Sequence, residues 1–270
     1  MEVSVIITTK NEEKHIRNCL NSIKAQSFAQ KEIEIILVDN YSTDKTKQIA
    51  VDFTDKIYDF GPERSAQRNF GVKQAKGKYI LYLDADMILS KNVVSECVIK
   101  CEQNKLVALY IPETIIGHGF WIKVRNFERG FYNKTCIDAV RFIRKDIFLK
   151  TDGFDQNFFV AEDWDLDRRI RRFGNREIVD AVLYHNEEKF NLRKYLKKKY
   201  FYSGNFEPYI QKWGRKDSII KKQFGLRYRY FGVFVEHGKW MRAIKHPILF
   251  LCLLKLRFLV GLGYLRKCKK

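Results

Sequence analysis

Lys78-Tyr79-Ile80-Leu81-Tyr82-Leu83-Asp84-Ala85-Asp86 is the stretch on which the fold turns. A short apolar run bounded by turn signals reads as a strand buried on both faces. This one emerges on two carboxylates one residue apart. Like charges at the mouth of a buried strand repel each other, and a divalent cation would relieve them. Hard cations take oxygen ligands and can bridge carboxylates to the phosphates of a substrate. A turn at Ala85 could bring both side chains toward one centre. The competing reading is a solvent-facing turn, where Asp is common.

Outward from this strand the same pattern repeats. Residues 3–8 are a β-branched apolar run followed by Thr9-Lys10-Asn11-Glu12-Glu13, and Ile16, Leu20 and Ile23 place a helix over 13–25. Residues 34–38 form a second buried strand that closes on Asp39 and opens into Asn40-Tyr41-Ser42-Thr43-Asp44, a segment able to cap a following helix. A strand over 57–60, a helix over 65–76 ended by Gly77, a helix over 93–101 and a strand over 106–111 continue the alternation. Such alternation predicts an α/β fold, a mainly parallel central sheet with helices on both faces. Ligands bind outside the carboxyl ends of strands in these sheets. Four polar stretches therefore converge: 8–12, 39–44, 64–69 and Asp84/Asp86. Neither G-x-G-x-x-G after the first strand nor G-x-x-x-x-G-K-[ST] is present, which argues against a dehydrogenase and a P-loop nucleotidase.

Further on, a strand over 138–143, a helix over 144–150 and a turn over 151–155 lead to Glu162-Asp163-Trp164-Asp165-Leu166-Asp167. Arg168, Arg169, Arg171 and Arg172 follow, so acids open a helix and bases close it. A carboxylate at Glu162 or Asp163 could also act as a general base toward a hydroxyl. Asp165 and Asp167 read as cap or salt-bridge residues. Arg68, near a helix start, could meet a phosphate or nucleobase, or simply pair with Glu63 or Asp86. Asp39 could accept a hydrogen bond from a base or ribose, or cap the next helix; Thr8, Asn11 and Glu12 carry the same two readings. His185 closes the apolar segment 178–184, and neutral imidazole ligates divalent cations.

Composition bounds the rest. At 270 residues, 46% hydrophobic and with only four prolines, the chain is a folded protein with room for a substantial core. Its net charge of +19 is unevenly spread: residues 1–190 hold 30 Lys/Arg against 29 Asp/Glu, whereas 191–270 hold 21 against Glu207, Asp217 and Glu236 alone. Six cysteines without a C-x-x-C pair point to packing roles in a reducing compartment. The N-terminus enters directly on a strand with no basic region before it, so no secretory signal is expected.

In order, the segments 3–12, 35–44, 65–71, 77–86 and Phe154-Asp155…Glu162-Asp163-Trp164-Asp165-Leu166 resemble an inverting family 2 glycosyltransferase with the GT-A fold. The resemblance covers about residues 3–186. It implies transfer of a sugar from a nucleoside-diphosphate donor, UDP- or GDP-linked, to a hydroxyl or phosphate acceptor. By that analogy Thr8, Asn11, Glu12, Asp39 and Arg68 lie along the nucleoside and pyrophosphate. Asp84 would meet the ribose or uridine side, Asp86 would ligate Mn²⁺ or Mg²⁺ with Asp84 and His185 as further candidates, and Asp163, beside Glu162, would be the catalytic base. Asn11 stands where relatives often carry an aromatic residue, so stacking on the base is not implied there. The resemblance together with the change in charge near residue 190 divides the chain into a catalytic domain over 1–190, with a donor half 1–110 and an acceptor half 111–190, and a basic, aromatic-rich helical extension over 191–270.

Within that extension, residues 191–202 read as a basic amphipathic helix and 224–231 mix aromatic with basic residues. Residues 247–265 are richer still in Leu, Phe and Ile, but Lys255 and Arg257 at the centre make a bilayer span unfavourable. An interfacial helix, or a core helix whose cations escape to solvent, fits better, with Arg266, Lys267, Lys269 and Lys270 toward anionic headgroups. The expectation is a cytoplasmic enzyme, peripheral at the membrane, acting on a polyprenyl phosphate or lipid-linked glycan. A soluble enzyme of polysaccharide or glycoconjugate synthesis, its tail packed on its own domain, is the alternative. Residues 117–121 with Arg125, Arg129 and Tyr132 could wall the acceptor. Nucleic-acid binding accounts for the charge but leaves Asp84, Asp86, Glu162 and Asp163 without work, as does a non-catalytic glycan-binding protein.

Overall fold

A computed structural model describes residues 1–268, with side chains to residue 263. In chain order the elements are β1 (Val3–Thr9), α1 (Ile16–Lys24), β2 (Ile33–Asp39), α2 (Thr46–Ala50), β3 (Ile57–Asp59), α3 (Arg64–Gln74), β4 (Tyr79–Asp84), β5 (Met87–Leu89), α4 (Val93–Asn104), β6 (Ala108–Tyr110), β7 (Glu113–His118), α5 (Phe120–Arg129), β8 (Phe142–Arg144), α6 (Lys145–Lys150), α7 (Glu162–Ile170), β9 (Arg176–Ile178) and β10 (Leu183–Lys189). The C-terminal part is helical: α8 (Leu192–Ser203), α9 (Glu207–Trp213), α10 (Ser218–Phe224), α11 (Val233–Val235), α12 (Trp240–Lys245) and α13 (Pro247–Cys268). The chain groups into two units, one of residues 1–114, 139–156 and 162–186, the other of 115–138, 157–161 and 187–270.

The first unit is built on a seven-stranded sheet of order β3-β2-β1-β4-β8-β6-β9. Parallel pairing joins β3, β2, β1 and β4, and β6 to β9; β8 runs antiparallel between β4 and β6. Alternate residues of each central strand feed opposite faces, as the pleat requires. Val3, Val5 and Ile7 of β1 and Leu81 and Leu83 of β4 pack with α1 and α4, while Ile6, Ile80 and Tyr82 pack with α3, α6 and α7. Every residue of β1 and β2 is buried, which is why neither strand shows polar alternation in the sequence.

Several boundaries differ from expectation for identifiable reasons. The first helix begins at Ile16, not residue 13, because the N–H groups of Glu12 and Glu13 bind Thr46 and Asp44 across the loop. Gly77 does not end α3, which stops at Ala75 in extended backbone. A Cβ on Gly77 would lie 2.6 Å from the Ser4 nitrogen, so glycine here admits the close approach of β4 to β1. Strand β8 is Phe142–Arg144 and shares only two residues with the expected 138–143, and His185 lies inside β10, not at a strand end.

In the second unit, Val124, Phe127, Phe131, Val233, Phe234 and Leu253 form a core between α5, α11 and α13. Arg257, expected to escape to solvent, is instead buried beside it: its Nε donates to Glu128 at 3.2 Å and its Nη2 to the Tyr132 hydroxyl at 3.0 Å. Arg125 also pairs with Glu128. Burial pushes the Glu128 carboxyl up, but Arg125 and Arg257 outweigh it and hold the pKa at about 2. Arg125 is thus a structural ion pair, while Trp121 stacks on Phe190 and Phe120 is exposed. The expected amphipathic helix is α8, capped by Asn191, and no residue of it is buried. No described helix is long and apolar enough to cross a membrane. The cations at 266, 267, 269 and 270 lie outside the described side chains.

Glu34 ties the amino ends of the first unit's strands. It accepts from Ser4 Oγ at 2.5 Å, Lys76 N at 2.5 Å and Gly77 N at 3.1 Å, and pairs with Lys56. Burial raises its carboxyl, but the hydrogen bonds from Lys56, Ser4 and Lys76 pull its pKa below the ordinary carboxylate value. Its stabilisation is therefore complete above the unfolded-state pKa and declines as pH falls through the folded one. Glu34→Ala leaves those donors unsatisfied and is expected to cost about 3 kcal/mol in urea unfolding at pH 7, with the difference from wild type shrinking in acid.

Candidate functional site

The parallel register sets Thr8 of β1 opposite Asp84 of β4, and Thr9 opposite Asp39 of β2, all at carboxyl ends. Helix α3 then brings Arg64 and Arg68, one turn apart, to the same edge, and α7 opens there with Glu162. These side chains form one network. Asp84 Oδ1 accepts from Arg68 Nη2 at 2.7 Å and from Thr8 Oγ1 at 3.1 Å, and Arg64 Nη1 lies 3.8 Å from Asp84 Oδ2. Glu162 Oε1 lies 3.3 Å from Arg64 Nη2 and 3.5 Å from Arg68 Nη1. Two guanidiniums thus offset two carboxylates in a largely dry place, Arg68 and Glu162 both being buried.

Burial raises the Asp84 carboxyl, but Arg68, then Arg64 and Arg141, overwhelm it and hold the group far below the usual carboxylate range. Glu162 goes the other way. Burial and then the Asp163 charge push it up, and the two arginines only partly compensate. Asp163 itself is half-buried on α7 and accepts the Trp164 N–H at 2.8 Å.

After Asp84 the chain turns, and Asp86 leaves the strand direction before β5 begins. β5 pairs antiparallel to β10, with His185 opposite Met87. This sets His185 Nε2 3.0 Å from Asp86 Oδ2, while Nδ1 lies 2.9 Å from Glu113 Oε1. Burial lowers the imidazole pKa, but hydrogen bonds to Asp86 and Glu113 raise it to about 10. Glu113 is itself 3.4 Å from Arg141, whose guanidinium lies over the Tyr82 ring. Asp86 Oδ1 is buried with no hydrogen-bond partner. An ionised oxygen without a partner is costly to bury. It suits a hard divalent cation, which would displace the His185 ring proton on binding and take its other ligands from a bound substrate. No group of three or more His, Cys, Asp or Glu residues among the described residues could hold a metal unaided.

The remaining candidates serve a neighbouring loop. Asp39 is fully buried and turned back on Ser42, accepting its N–H at 2.6 Å and its hydroxyl at 2.5 Å, so it holds its own loop and caps no helix. Helix α2 takes its side-chain acceptor from Asp44, which receives the Thr46 N–H at 3.0 Å. Asn11, at φ 54°, accepts the Thr43 N–H at 2.9 Å and binds the two loops together. Glu12 is raised by burial first and by Asp86 next, so its carboxyl senses the same acidic centre. Arg68 pairs with Asp84 and Glu162, not with Glu63 or Asp86. Asp165 and Asp167 are buried salt-bridge residues, to Arg169 and Arg176 respectively.

Three participants were not singled out from sequence. Arg64 had a signal, since it lies four residues before Arg68 on one helix face. Glu113 and Arg141 had none, because only the fold brings residues 113, 141 and 185 together.

Residues 4–157 match the model of Glycosyl transferase family 2. An uncharacterized glycosyltransferase of Rickettsia bellii is 33% identical over 215 residues, 69% of this chain and 30% of that protein. Poly(ribitol-phosphate) beta-N-acetylglucosaminyltransferase TarS of Staphylococcus aureus is 35% identical over 105 residues, 36% of this chain and 18% of that protein. The chain therefore spans only a minor part of these relatives' length. Among solved structures, S. aureus TarS 1-349 in complex with UDP-GlcNAc superposes with a TM-score of 0.59 at 20% identity, covering 98% of this chain and 89% of that one. Mannosyltransferase PcManGT of Pyrobaculum calidifontis, in complex with GDP-Man and Mn²⁺, gives 0.63 at 17% identity, covering 97% and 79%. These likenesses show the fold, a central, mostly parallel sheet flanked by helices, which is the expected GT-A architecture.

Removing Arg68 leaves Arg64 as the nearest cation to Asp84 and Glu162. Arg68→Met is expected to cost about 3 kcal/mol in urea unfolding and to move the Asp84 carboxyl titration, followed by ¹³C NMR, upward toward the ordinary range.

Proposed function

Because the chain belongs to glycosyl transferase family 2, we propose that it moves a sugar from a UDP- or GDP-linked donor to an acceptor with inversion at the anomeric carbon. The observation that carries this reading is the pairing of a charge-paired network, Thr8–Asp84–Arg68–Glu162, with an adjacent Asp86 whose buried Oδ1 lacks a partner. The first pairs two carboxylates with two guanidiniums; the second is poised for a ligand. Asp86 and His185 would hold Mn²⁺ or Mg²⁺, with Glu113 on Nδ1 orienting the imidazole. Asp84, already engaged by Arg68 and Thr8, would meet the nucleoside side of the donor rather than the metal. Thr8, Asn11, Glu12 and Asp39 would line the nucleoside end, Asn11 and Asp39 by shaping the loop over residues 39–46.

The bound cation would supply positive charge against the departing diphosphate. Asp163 takes the proton of the acceptor hydroxyl as its oxygen forms a bond to the anomeric carbon and the bond to the diphosphate breaks on the opposite face. Asp163 suits this role better than Glu162, which is buried and paired with two arginines. Arg64, 46% exposed, can turn toward the leaving diphosphate, whereas Arg68 is held in place by Asp84 and the rings of Tyr82 and Phe154. For a phosphate acceptor, already ionised at neutral pH, Asp163 would orient rather than deprotonate.

The acceptor we favour is lipid-linked, a polyprenyl phosphate or a glycan on one, reached at the cytoplasmic face of a membrane. The basic, apolar-rich C-terminal segment and the free thiols of Cys19, Cys97, Cys101, Cys136 and Cys252 support that location. A soluble polymer acceptor is the second reading, favoured by the poly(ribitol-phosphate) named for the S. aureus relative. Both are anionic or carried on an anion, in keeping with the charge of residues 191–270.

Thermal unfolding with a panel of UDP- and GDP-sugars, with and without Mn²⁺, tests the reading. One donor at about 100 times its Kd is expected to stabilise the protein by about 2.7 kcal/mol, in a Mn²⁺-dependent manner. Asp86→Asn should abolish the Mn²⁺-dependent part. Asp163→Asn should keep donor stabilisation but lower transfer at least about 100-fold. Silence to every donor, with Asp86→Asn indistinguishable from wild type, would overturn it.

A further inference from the structure

The second unit carries an apolar face that its own fold leaves open. On α13, Leu253 and Leu256 are buried, and the helix packs on α5 and α8. On another side, Ile248, Leu251, Phe258 and Leu262 are 69%, 65%, 58% and 40% exposed. Their spacing, with Lys255 between, follows one stripe along the helix. Helix α12, packed beside α13, exposes Trp240, Met241 and Ile244, the last at 68%. Scattered exposed hydrophobics are ordinary, but a stripe along one helix beside a second exposed apolar group on the helix packed next to it marks a binding surface.

Charge identifies what covers it. Arg227, Lys245 and Lys255 are exposed in the same stretch, and Glu236 is the lone acid of residues 218–270. Glu236 is already used, accepting from Tyr228 and lying 3.5 Å from Lys222. A second copy docking through this face would set lysine against lysine. Phosphate recognition on nucleic acid would explain the cations but not the leucines. An anionic bilayer surface answers both features. Apolar side chains enter the acyl boundary, Trp240 sits at the headgroup level, and Lys255 extends its stem along lipid to reach phosphate.

We propose that the exposed stripe of α12 and α13 is an interfacial membrane-binding face selective for anionic lipid. This deepens the membrane-located reading above and rests on it for its purpose, but not on the identity of the sugar donor. The full chain is sedimented with vesicles of phosphatidylcholine, with and without phosphatidylglycerol. Wild type should partition onto the anionic vesicles, with a blue shift of Trp fluorescence that Trp240→Phe removes. Ile248→Ser with Leu251→Ser and Phe258→Ser should weaken partition more than about tenfold. Lys245→Glu with Lys255→Glu should erase the preference for anionic lipid. All substituted positions are exposed, so far-UV circular dichroism and donor-induced stabilisation should match wild type. Sedimentation unchanged by the serine variant would overturn the proposal. So would dimers that the serine variant dissociates while vesicles are ignored, or RNA binding tighter than vesicle binding. Vesicle binding without any donor response would sink the glycosyltransferase reading and leave this one standing.

Discussion

The pairing of β1 between β2 and β4, parallel and in register, is the constraint from which the first unit's chemistry follows. Parallel strands buried on both faces can carry polar side chains only where they emerge. Three such strands side by side bring their emerging residues, Thr8, Asp39 and Asp84, to one edge. At the opposite edge the same geometry gathers Ser4, Glu34 and the turn at Gly77 into a knot that holds the amino ends. The sheet thus has a closed end and a chemically open one.

Electrostatics divides the open end further. Asp84 and Glu162 are two carboxylates in a dry place, tolerable because Arg64 and Arg68 lie within ion-pair reach of both. That quartet pairs two negative charges with two positive ones. Asp86 is only half satisfied: one oxygen meets His185 and the other has no hydrogen-bond partner. Two residues apart in sequence, Asp84 and Asp86 therefore belong to different electrostatic environments. A buried ionised oxygen without a partner is the kind of local cost that a functional site retains.

The alternation of elements was readable from the chain, because fully buried strands and amphipathic helices leave periods that no tertiary contact needs to explain. Strands β1, β2 and β4 fell within a residue or two of their observed limits. Errors clustered where polar contacts set a boundary, as at residues 12–15, where N–H groups serve a neighbouring loop instead of a helix. Gly77 was misread for a similar reason: a glycine after a helix looks like a terminator, but this one is required by the nearness of Ser4. Arg257 shows the limit in another form. From sequence it was a cation stranded in an apolar helix, and its partner Glu128 is 129 residues away.

By itself, then, the sequence determined which residues emerge at strand ends, the abrupt division of charge near residue 190, and the ordered motifs that carry the family resemblance. Each of these is a local property, written in runs, spacings and composition. Only the tertiary structure decided that Arg68 binds Asp84 and Glu162, that Asp39 serves its own loop, that Glu113 and Asp86 share His185, and which side of α13 stays open. Most of those pairings join residues distant in the chain, and burial and charge balance select among partners only once the sheet has brought them within a few ångströms.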